Sequence, residues 1–242
     1  MSALVIGCMV PDFEYFIRFG PHGGFGHTLL GVFVLDFPLA LIALWLYHAY
    51  AKEPLYAWLP QSMQRRIQLG PLSPPINNIA QFAMVSLSIF IGVATHILWD
   101  SFTHPRFWPY HHWRFLHRTI HLPVYGTMEY VRIVQHASTI FGAVVLLFWV
   151  RYWFRTTPPT QPLTASHSGK SPRAALLVVC MLSLAAAAFR AFQVLRFGAD
   201  LNFGTIKTAI ECAIITAIDA FWVGVVVYGI LRSRARIALQ DA

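Results

Sequence analysis

Histidine and aspartate residues recur at helical spacing where the second long apolar segment ends. In "THILWDSFTHP" (95–105), four residues separate His96 from Asp100 and Asp100 from His104. Residues i and i+4 share one face of a helix, so the imidazole of His96 and the carboxylate of Asp100 can bind one metal ion. Pro105 disfavours helical geometry at His104, so we expect the helix to end there. A His and carboxylate set without cysteine is typical of Zn²⁺, Mn²⁺ or Fe²⁺, and zinc is the divalent metal we favour.

Other ionisable residues lie toward the same end of the predicted helices. Asp12 and Glu14 in "PDFEY" and His27 in "GHTLLG" precede the first long apolar segment. Unrelated polar residues would occupy both membrane rims, whereas this concentration at one rim favours a shared polar site that opens to one face. Asp12 and Glu14 have the alternative of capping a helix. His27 has the alternative of being a simple loop residue, and His96 that of a hydrogen-bonded interior histidine.

Two further groups of polar residues receive structural interpretations. His136, Arg190 and Glu211 lie in three different apolar segments. We interpret them as a hydrogen-bonded network between helices, with Arg190 and Glu211 as an ion pair. The histidines of residues 108–121 alternate with Trp, Tyr and Arg, and we interpret this segment as an interfacial surface that contacts anionic lipid head groups.

The composition predicts a membrane protein. Of 242 residues, 57% are hydrophobic and only 12% are charged, and the mean hydropathy is +0.55. A soluble domain carries about twice that fraction of charged residues. We therefore predict one all-α domain over residues 1–242, a polytopic helical membrane protein with about five transmembrane helices. The predicted spans are residues 28–50, 79–100, 130–154, 174–197 and 206–231.

Shorter segments complete the predicted fold. Residues 1–11 are apolar but too short to span a bilayer, which indicates a re-entrant or half-buried N-terminal helix. "LPQSMQRRIQL" within residues 51–78 predicts an interfacial amphipathic helix. Residues 156–173 are rich in Pro, Ser and Thr, which predicts a flexible loop. The three cysteines are isolated and the N-terminus lacks a cleavable signal pattern, so neither a disulfide framework nor a removable signal peptide is expected.

Basic residues are unequally divided between the two groups of membrane flanks. Ten Lys and Arg residues fall with the 51–78 loop, the 151–173 loop and the C-terminal tail, against seven with the N-terminus, the His-rich loop and the short turn at 198–205. This bias places the first group in the cytoplasm and the polar site on the extracytoplasmic face. The net charge of +8 therefore reflects topology and anionic lipid contact, and no nucleic-acid partner is expected. Expected partners are the lipid bilayer and either another protein or a second copy of the chain.

Four motifs resemble a known family. "VIGCMVPDFEYFIRFG", "GFGHTLLGVFVLDFP", "GVATHILWDSFTH" and "QHASTIFG" together resemble an uncharacterised bacterial membrane family, domain of unknown function 4184, over most of the chain. The order of P-D-x-[DE], [GS]-H-[ST]-L and H-x-x-x-D is also similar to that of bacterial membrane-bound metal-dependent hydrolases. These in turn resemble the helical zinc-dependent phospholipase C group.

The resemblance implies a metal site and a location. The implied location is the bacterial cytoplasmic (inner) membrane. Members of the first family usually carry a further His-containing segment before the equivalent of "SALVIG". We therefore expect either that the start codon of this chain is assigned too late or that one ligand and half a helix are missing here. The implied ligands are Asp12, His27, His96 and Asp100, with Glu14 and His104 as further candidates.

Three functions compete. The first is metal-assisted hydrolysis of a lipid-type or phosphoester substrate at the membrane surface, with Asp12 or Glu14 as general base. The second is a non-enzymatic structural or accessory subunit whose buried polar cluster packs helices. The third, less favoured, is a transporter that uses Asp36, Glu211 and Asp219 as an ion path. A haem site with His96 and His136 as ligands is the least favoured.

Overall fold

Helices make up most of the protein. The computed structural model describes residues 1–21, 23–74, 76–122, 126–160, 170–198 and 202–240. The helices are α1 (Ser2–Met9), α2 (Phe13–Ile17), α3 (Leu29–Trp58), α4 (Gln61–Gln64), α5 (Ile79–Thr103), α6 (Trp108–His112), α7 (Tyr130–Thr156), α8 (Lys170–Phe197) and α9 (Phe203–Gln240). Five of them, α3, α5, α7, α8 and α9, are long and apolar enough to cross a membrane. The prediction of a polytopic helical membrane protein is confirmed.

One small strand pair accompanies the helices. β1 (Thr119–Leu122) and β2 (Gly126–Glu129) form an antiparallel hairpin directly before α7. Thr119 is paired with Glu129, and the backbone N–H of Tyr130 donates to the carbonyl of Arg118 at 2.8 Å. The sequence prediction contained no strand here. The hairpin is short and does not change the all-α class.

The observed span boundaries follow from local capping. Asn78 caps α5, since its side chain accepts a hydrogen bond from the backbone N–H of Gln81 at 2.8 Å. α5 ends at Thr103, and His104 is extended with φ −128° and ψ 136°, as expected before Pro105. α8 begins four residues earlier than predicted, because Pro172 lies in its first turn, where no backbone N–H is needed.

Two spanning helices, α3 and α9, extend well beyond their predicted C-terminal ends, and these extensions contact each other. α3 continues beyond residue 50 to Trp58, and α9 continues beyond residue 231 to Gln240. Glu53 in the α3 extension forms ion pairs with Arg232 at 3.3 Å and Arg236 at 2.6 Å in the α9 extension. Hydropathy ends a predicted span at the first charged residues, whereas here those charges pair between helices and the helices continue.

The connecting segments differ from the predictions in extent. The predicted interfacial helix is helical only over Gln61–Gln64, after which Arg66 donates to the carbonyls of Ser62 at 2.6 Å and Thr157 at 3.0 Å. Of the predicted flexible loop 156–173, residues 161–169 lie outside the described residues, and α8 already includes residues 170–173.

The N-terminal helix α1 lies directly against α5. A Cβ added at Gly7 would overlap the backbone carbonyl oxygen of Ile89, and one added at Gly92 would overlap that of Leu4 and lie 2.7 Å from the backbone nitrogen of Cys8. Such close backbone approach is typical of helix packing in membranes, where small residues form the interface. The prediction of a half-buried N-terminal helix is confirmed.

α7 presents apolar side chains around its whole circumference. The consecutive residues Leu146, Leu147 and Phe148 are each 63–70% exposed, and Val131 is the buried residue of this helix. A helix that is apolar on every side requires an apolar solvent, which a lipid bilayer provides.

The α1–α5 contact generates the first prediction. Gly92→Ala places a methyl group inside the backbone of α1, so we expect the free energy of unfolding to fall by about 1–3 kcal/mol, the usual cost of overpacking. Gly142→Ala is the matched control, because a Cβ at Gly142 in α7 has no neighbour within 4 Å. Unfolding in detergent micelles measures both variants. Equal stabilities for the two would contradict the close contact.

Candidate metal centre

Four side chains from three segments of the chain converge at one end of the helix bundle. Asp12 ends the short 3-10 turn after α1, His27 ends the 3-10 turn before α3, and His96 and Asp100 lie one turn apart on α5. Each offers one ligand atom, and no two of these atoms are more than 4.8 Å apart. Within the described part of the chain, this is the one group of His, Cys, Asp and Glu residues with that property.

The distances within the group suit a shared ion. Nε2 of His27 lies 3.6 Å from Oδ1 of Asp12 and 3.3 Å from Oδ2 of Asp100. Nε2 of His96 lies 3.7 Å and 3.5 Å from the same two oxygens. These separations exceed the usual N–H···O range of about 2.7–3.2 Å. Tetrahedral bonds of ~2.0–2.2 Å hold ligand atoms about 3.3–3.6 Å apart, so the spacing resembles a coordination shell more than a set of hydrogen bonds.

In its neutral form, His96 presents an unprotonated nitrogen to the group. Its Nδ1 lies 2.7 Å from the backbone carbonyl oxygen of Cys8 in α1. A carbonyl only accepts, so Nδ1 carries the proton and Nε2 of the neutral ring keeps its lone pair. This is the usual orientation of a metal-binding histidine, whose other ring nitrogen donates to a backbone carbonyl or carboxylate. His96 is therefore a hydrogen-bonded interior histidine through Nδ1, and Nε2 keeps a lone pair that can coordinate a metal ion.

His27 is the most deeply buried member of the group. Its side chain is 2% exposed, and its ring lies 5.4 Å from that of His96 and 6.3 Å from that of Phe107. Neither ring nitrogen of His27, nor Nε2 of His96, has a hydrogen-bond partner among the described residues. Buried polar atoms normally have partners, because leaving one unpaired costs about 1–3 kcal/mol. A bound cation would satisfy the two Nε2 atoms, so the residues present fit a divalent metal.

Glu14 organises the loop that carries His27. Its Oε2 accepts hydrogen bonds from the backbone N–H groups of Gly24, Phe25 and Gly26 at 2.7, 2.8 and 3.3 Å. Its Oε1 accepts from Nε and Nη2 of Arg18 at 2.9 and 2.8 Å. Burial opposes ionisation, yet these donors hold the pKa of Glu14 below its usual value. Glu14 was predicted as a catalytic base, but the contacts direct its carboxylate to the loop and to Arg18.

The same loop lies tightly between two other elements. A Cβ added at Gly26 would lie 2.8 Å from the carbonyl oxygen of Pro11 and 2.9 Å from Oδ1 of Asp36. Asp36 in α3 is fully buried, and neither of its oxygens has a hydrogen-bond partner among the described residues. From the sequence, Asp36 was considered only as part of a transporter's ion path. The structure places it beside the His27 loop, next to Gly26.

The open side of the group is formed by Asp12 and Arg106. The Asp12 side chain is 43% exposed, against 2–14% for the other three members. Burial of the remaining part raises the pKa of Asp12, although neighbouring His96 opposes the shift. Nη2 of Arg106 lies 3.9 Å from Oδ2 of Asp100, and its side chain is one third exposed. Arg106 is one of the seven Lys and Arg residues assigned from the sequence to the membrane flanks of this side, although it closely follows the H-x-x-x-D motif.

His104 borders the group without belonging to it. Its Nδ1 lies 3.5 Å from Oδ2 of Asp100 and 3.0 Å from Oγ1 of Thr103, and its Nε2 lies 3.2 Å from Nε2 of Gln135. Because α5 ends at Thr103, His104 leaves the helix face shared by His96 and Asp100. It reaches the group only through Asp100.

The other predicted contacts differ from those observed. Glu211 pairs with Lys207 at 3.7 Å, one turn before it on α9. The predicted ion pair with Arg190 is absent from the described part of the chain, so that prediction is wrong. Two histidines of residues 108–121, the segment interpreted as an interfacial surface, make local contacts: His112 contacts the carbonyl of Trp108 at 2.9 Å, and His117 that of Tyr110.

Comparisons with known proteins identify a family without an assigned activity. A family model described as Domain of unknown function (DUF4184) matches residues 1–230, most of the chain. The resemblance of the four sequence motifs to this family is thereby confirmed. No curated protein and no solved structure matches the chain.

The loop contacts of Glu14 generate the second prediction. Glu14→Gln removes the charge and turns an NH2 group toward either the loop N–H groups or Arg18. We expect the free energy of unfolding to fall by about 2 kcal/mol, amide exchange at Gly24–Gly26 to become faster, and zinc affinity to fall because His27 moves. Glu211→Gln is the matched control, since Glu211 also has a basic partner four residues away but accepts no loop N–H groups.

The same variant separates two roles of Glu14. A general base that does not position the loop would leave stability and zinc affinity unchanged in Glu14→Gln and lose only turnover. That result would contradict the positioning role.

Proposed function

We propose that this protein is a metal-dependent hydrolase that acts at the membrane surface on a lipid-type or phosphoester substrate. The chain belongs to the family described as Domain of unknown function (DUF4184). Zinc is the proposed metal, and Asp12, His27, His96 and Asp100 are its proposed ligands. The observation that carries the proposal is the spacing of 3.3–3.7 Å between two imidazole nitrogens and two carboxylate oxygens. Both of these nitrogens are buried and have no hydrogen-bond partner among the described residues.

The donor set selects the metal and the chemistry. Two imidazoles and two carboxylates without a thiolate suit zinc, manganese or iron. This ligand set differs from that of structural zinc sites, which are rich in cysteine. Zinc held by these residues would lower the pKa of a water molecule bound as an additional ligand to near neutrality and would polarise an ester or phosphoryl oxygen. The hydrogen bond to the Cys8 carbonyl directs Nε2 of His96 toward the two carboxylates. The hydrogen bonds that Glu14 accepts from the loop N–H groups hold the segment that carries His27.

Asp12 is the proposed general base as well as a ligand. It is the most exposed of the four side chains, so water and substrate reach its carboxylate first. Glu14 has three backbone N–H groups and two N–H groups of Arg18 already bound to its oxygens. Transfer of a proton to Glu14 would disrupt the loop it holds, so Asp12 suits proton acceptance better.

Arg106 is the proposed binding residue for a negatively charged substrate. Its guanidinium lies at the open side of the group, where it donates a hydrogen bond to the carbonyl of Gly23 at 3.4 Å. A guanidinium binds phosphate in a bidentate manner. Leu29 and Leu30, directly after the His27 segment, are 79% and 64% exposed and provide an apolar surface for acyl chains. These features support a lipid phosphoester as the substrate class.

The cellular location extends the proposal. We place the protein in the bacterial inner membrane with the metal centre on the extracytoplasmic face. The excess of Lys and Arg on the flanks opposite the metal centre supports this orientation.

A structural or accessory role is the second candidate function. It is favoured by the way the group joins α1, α5 and the loop before α3, with His96 bonded across to Cys8. In that case the polar side chains hold the helices together and no ion is required.

Metal content distinguishes the two functions. We expect purified protein to hold about one zinc per chain. His96→Ala and Asp100→Ala each remove a ligand and should weaken zinc binding at least tenfold, as measured by mass spectrometry of bound metal and by competition with a chelator. His111→Ala is the control, because His111 is exposed and lies outside the group. Absence of stoichiometric metal in wild type, with unchanged stability of both ligand variants, would contradict the proposal.

Substrate charge provides a separate prediction. Arg106→Gln should lower kcat/KM for a chromogenic phosphodiester by about 10–100-fold, the value of a charge-assisted hydrogen bond, while bound zinc stays the same. A neutral carboxylic ester should be affected much less. Arg114→Gln, at an exposed arginine outside the group, is the control. Equal losses for both substrates would count against a negatively charged substrate.

A further inference from the structure

Arg190 is a charged residue within a membrane-spanning helix. It lies in α8, seven residues before the helix ends at Phe197, which places it about 10 Å along the axis from that end. A charge at this depth costs several kcal/mol unless it is paired or reaches water. Arg190 therefore requires an anion or a set of strong acceptors.

The protein itself supplies little of what Arg190 requires. Nη1 donates to Oε1 of Gln193, and Nη2 donates to the backbone carbonyl of Phe19, both at the long distance of 3.4 Å. Nε is buried and has no hydrogen-bond partner among the described residues. No Asp or Glu in the described ranges lies within ion-pair distance of Arg190, and Glu211, the expected partner, is bound to Lys207.

A cavity lies beside this guanidinium. Its volume is about 460 Å³, and it is lined by Arg190, Gln193, Val194, Phe197 and Gly198. This volume is within the range of ligand sites. The lining residues all come from one stretch of α8 and its end, so the cavity is open-sided. One wall is polar, with Arg190 and Gln193, and the other is apolar, with Val194 and Phe197.

We propose that this cavity binds the phosphate group of an anionic membrane phospholipid. The guanidinium of Arg190 and the side-chain NH2 of Gln193 donate to phosphate oxygens, which supplies the missing anion. The head group lies toward Val194 and Phe197 at the end of α8, and the acyl chains run from Arg190 toward the middle of the span, past Phe189, which is 63% exposed. A lipid suits the site better than free phosphate, because the cavity is open-sided, partly apolar and within a membrane span.

The proposed lipid site is independent of the proposed metal centre. Arg190 donates a hydrogen bond to the loop between Asp12 and His27 at the carbonyl of Phe19, and none of the four proposed ligands lines the cavity. Lipid binding is therefore expected to persist after zinc has been removed with a chelator. A failure of the lipid proposal leaves the metal proposal intact, and the reverse also holds.

The test is native mass spectrometry of delipidated, zinc-free protein titrated with dioleoyl phosphatidylglycerol. Wild type should bind one lipid at least tenfold more tightly than Arg190→Gln. Arg190→Lys keeps the charge but loses the planar donor set, so its affinity should be intermediate. Arg196→Gln is the control and should bind like wild type, because Arg196 lies over the ring of Phe192 and outside the cavity.

Two further arms keep the test decisive. Gln193→Leu retains the arginine and removes one donor, so it should weaken lipid binding severalfold even if Arg190→Gln fails to fold. Millimolar inorganic phosphate should not displace the lipid, and dioleoylglycerol, which lacks the phosphate, should not bind. Equal lipid affinity for wild type, Arg190→Gln and Gln193→Leu would overturn the proposal. Displacement of the lipid by phosphate would overturn the assignment to a lipid.

Discussion

The close backbone contact between α1 and α5 is the constraint on which the metal centre depends. Gly7 and Gly92 allow α1 to approach until the carbonyl of Cys8 reaches Nδ1 of His96. That one hydrogen bond fixes both the tautomer and the direction of the His96 ring. The chain then turns through Val10–Asp12, which delivers the Asp12 carboxylate to the same place. Helix packing, ring orientation and ligand position thus have one common cause.

A second layer of contacts places the remaining ligand. The His27 segment has no long helix of its own before α3, so it depends on Glu14 to order the backbone N–H groups of residues 24–26. Gly26 then fits between Pro11 and Asp36, where a larger residue would clash with both. The centre is therefore assembled from a rigid part on α1 and α5 and a loop that a single carboxylate holds in place.

The sequence predicted the spans and the shared face of His96 and Asp100 for physical reasons, whereas the full set of four side chains was implied by the family resemblance. Span length is set by bilayer thickness, and the spacing of His96 and Asp100 is set by helix geometry. The role of Glu14 was missed, because its partners are backbone N–H groups, which leave no signal in residue type. The pairing of Arg190 with Glu211 was wrong, because two residues at similar membrane depth meet only if both helices are rotated suitably. The hairpin before α7 was not predicted, because no turn motif was recognised in the sequence of this segment.

The polar contacts elsewhere in the protein help to distinguish a metal centre from a structural polar cluster. Where carboxylates hold this fold together, their oxygens are bound at short distance: Glu14 by Arg18 and three N–H groups, and Glu53 by Arg236 at 2.6 Å. The group of Asp12, His27, His96 and Asp100 differs, because its nitrogen–oxygen distances begin at 3.3 Å and both of its Nε2 atoms have no partner among the described residues. As a device for packing helices, this group would be poor, since apart from the bond of His96 to Cys8 it incurs the desolvation cost of burial without gaining hydrogen bonds. As the ligands of a cation, the same spacing and the same free nitrogens are what coordination requires.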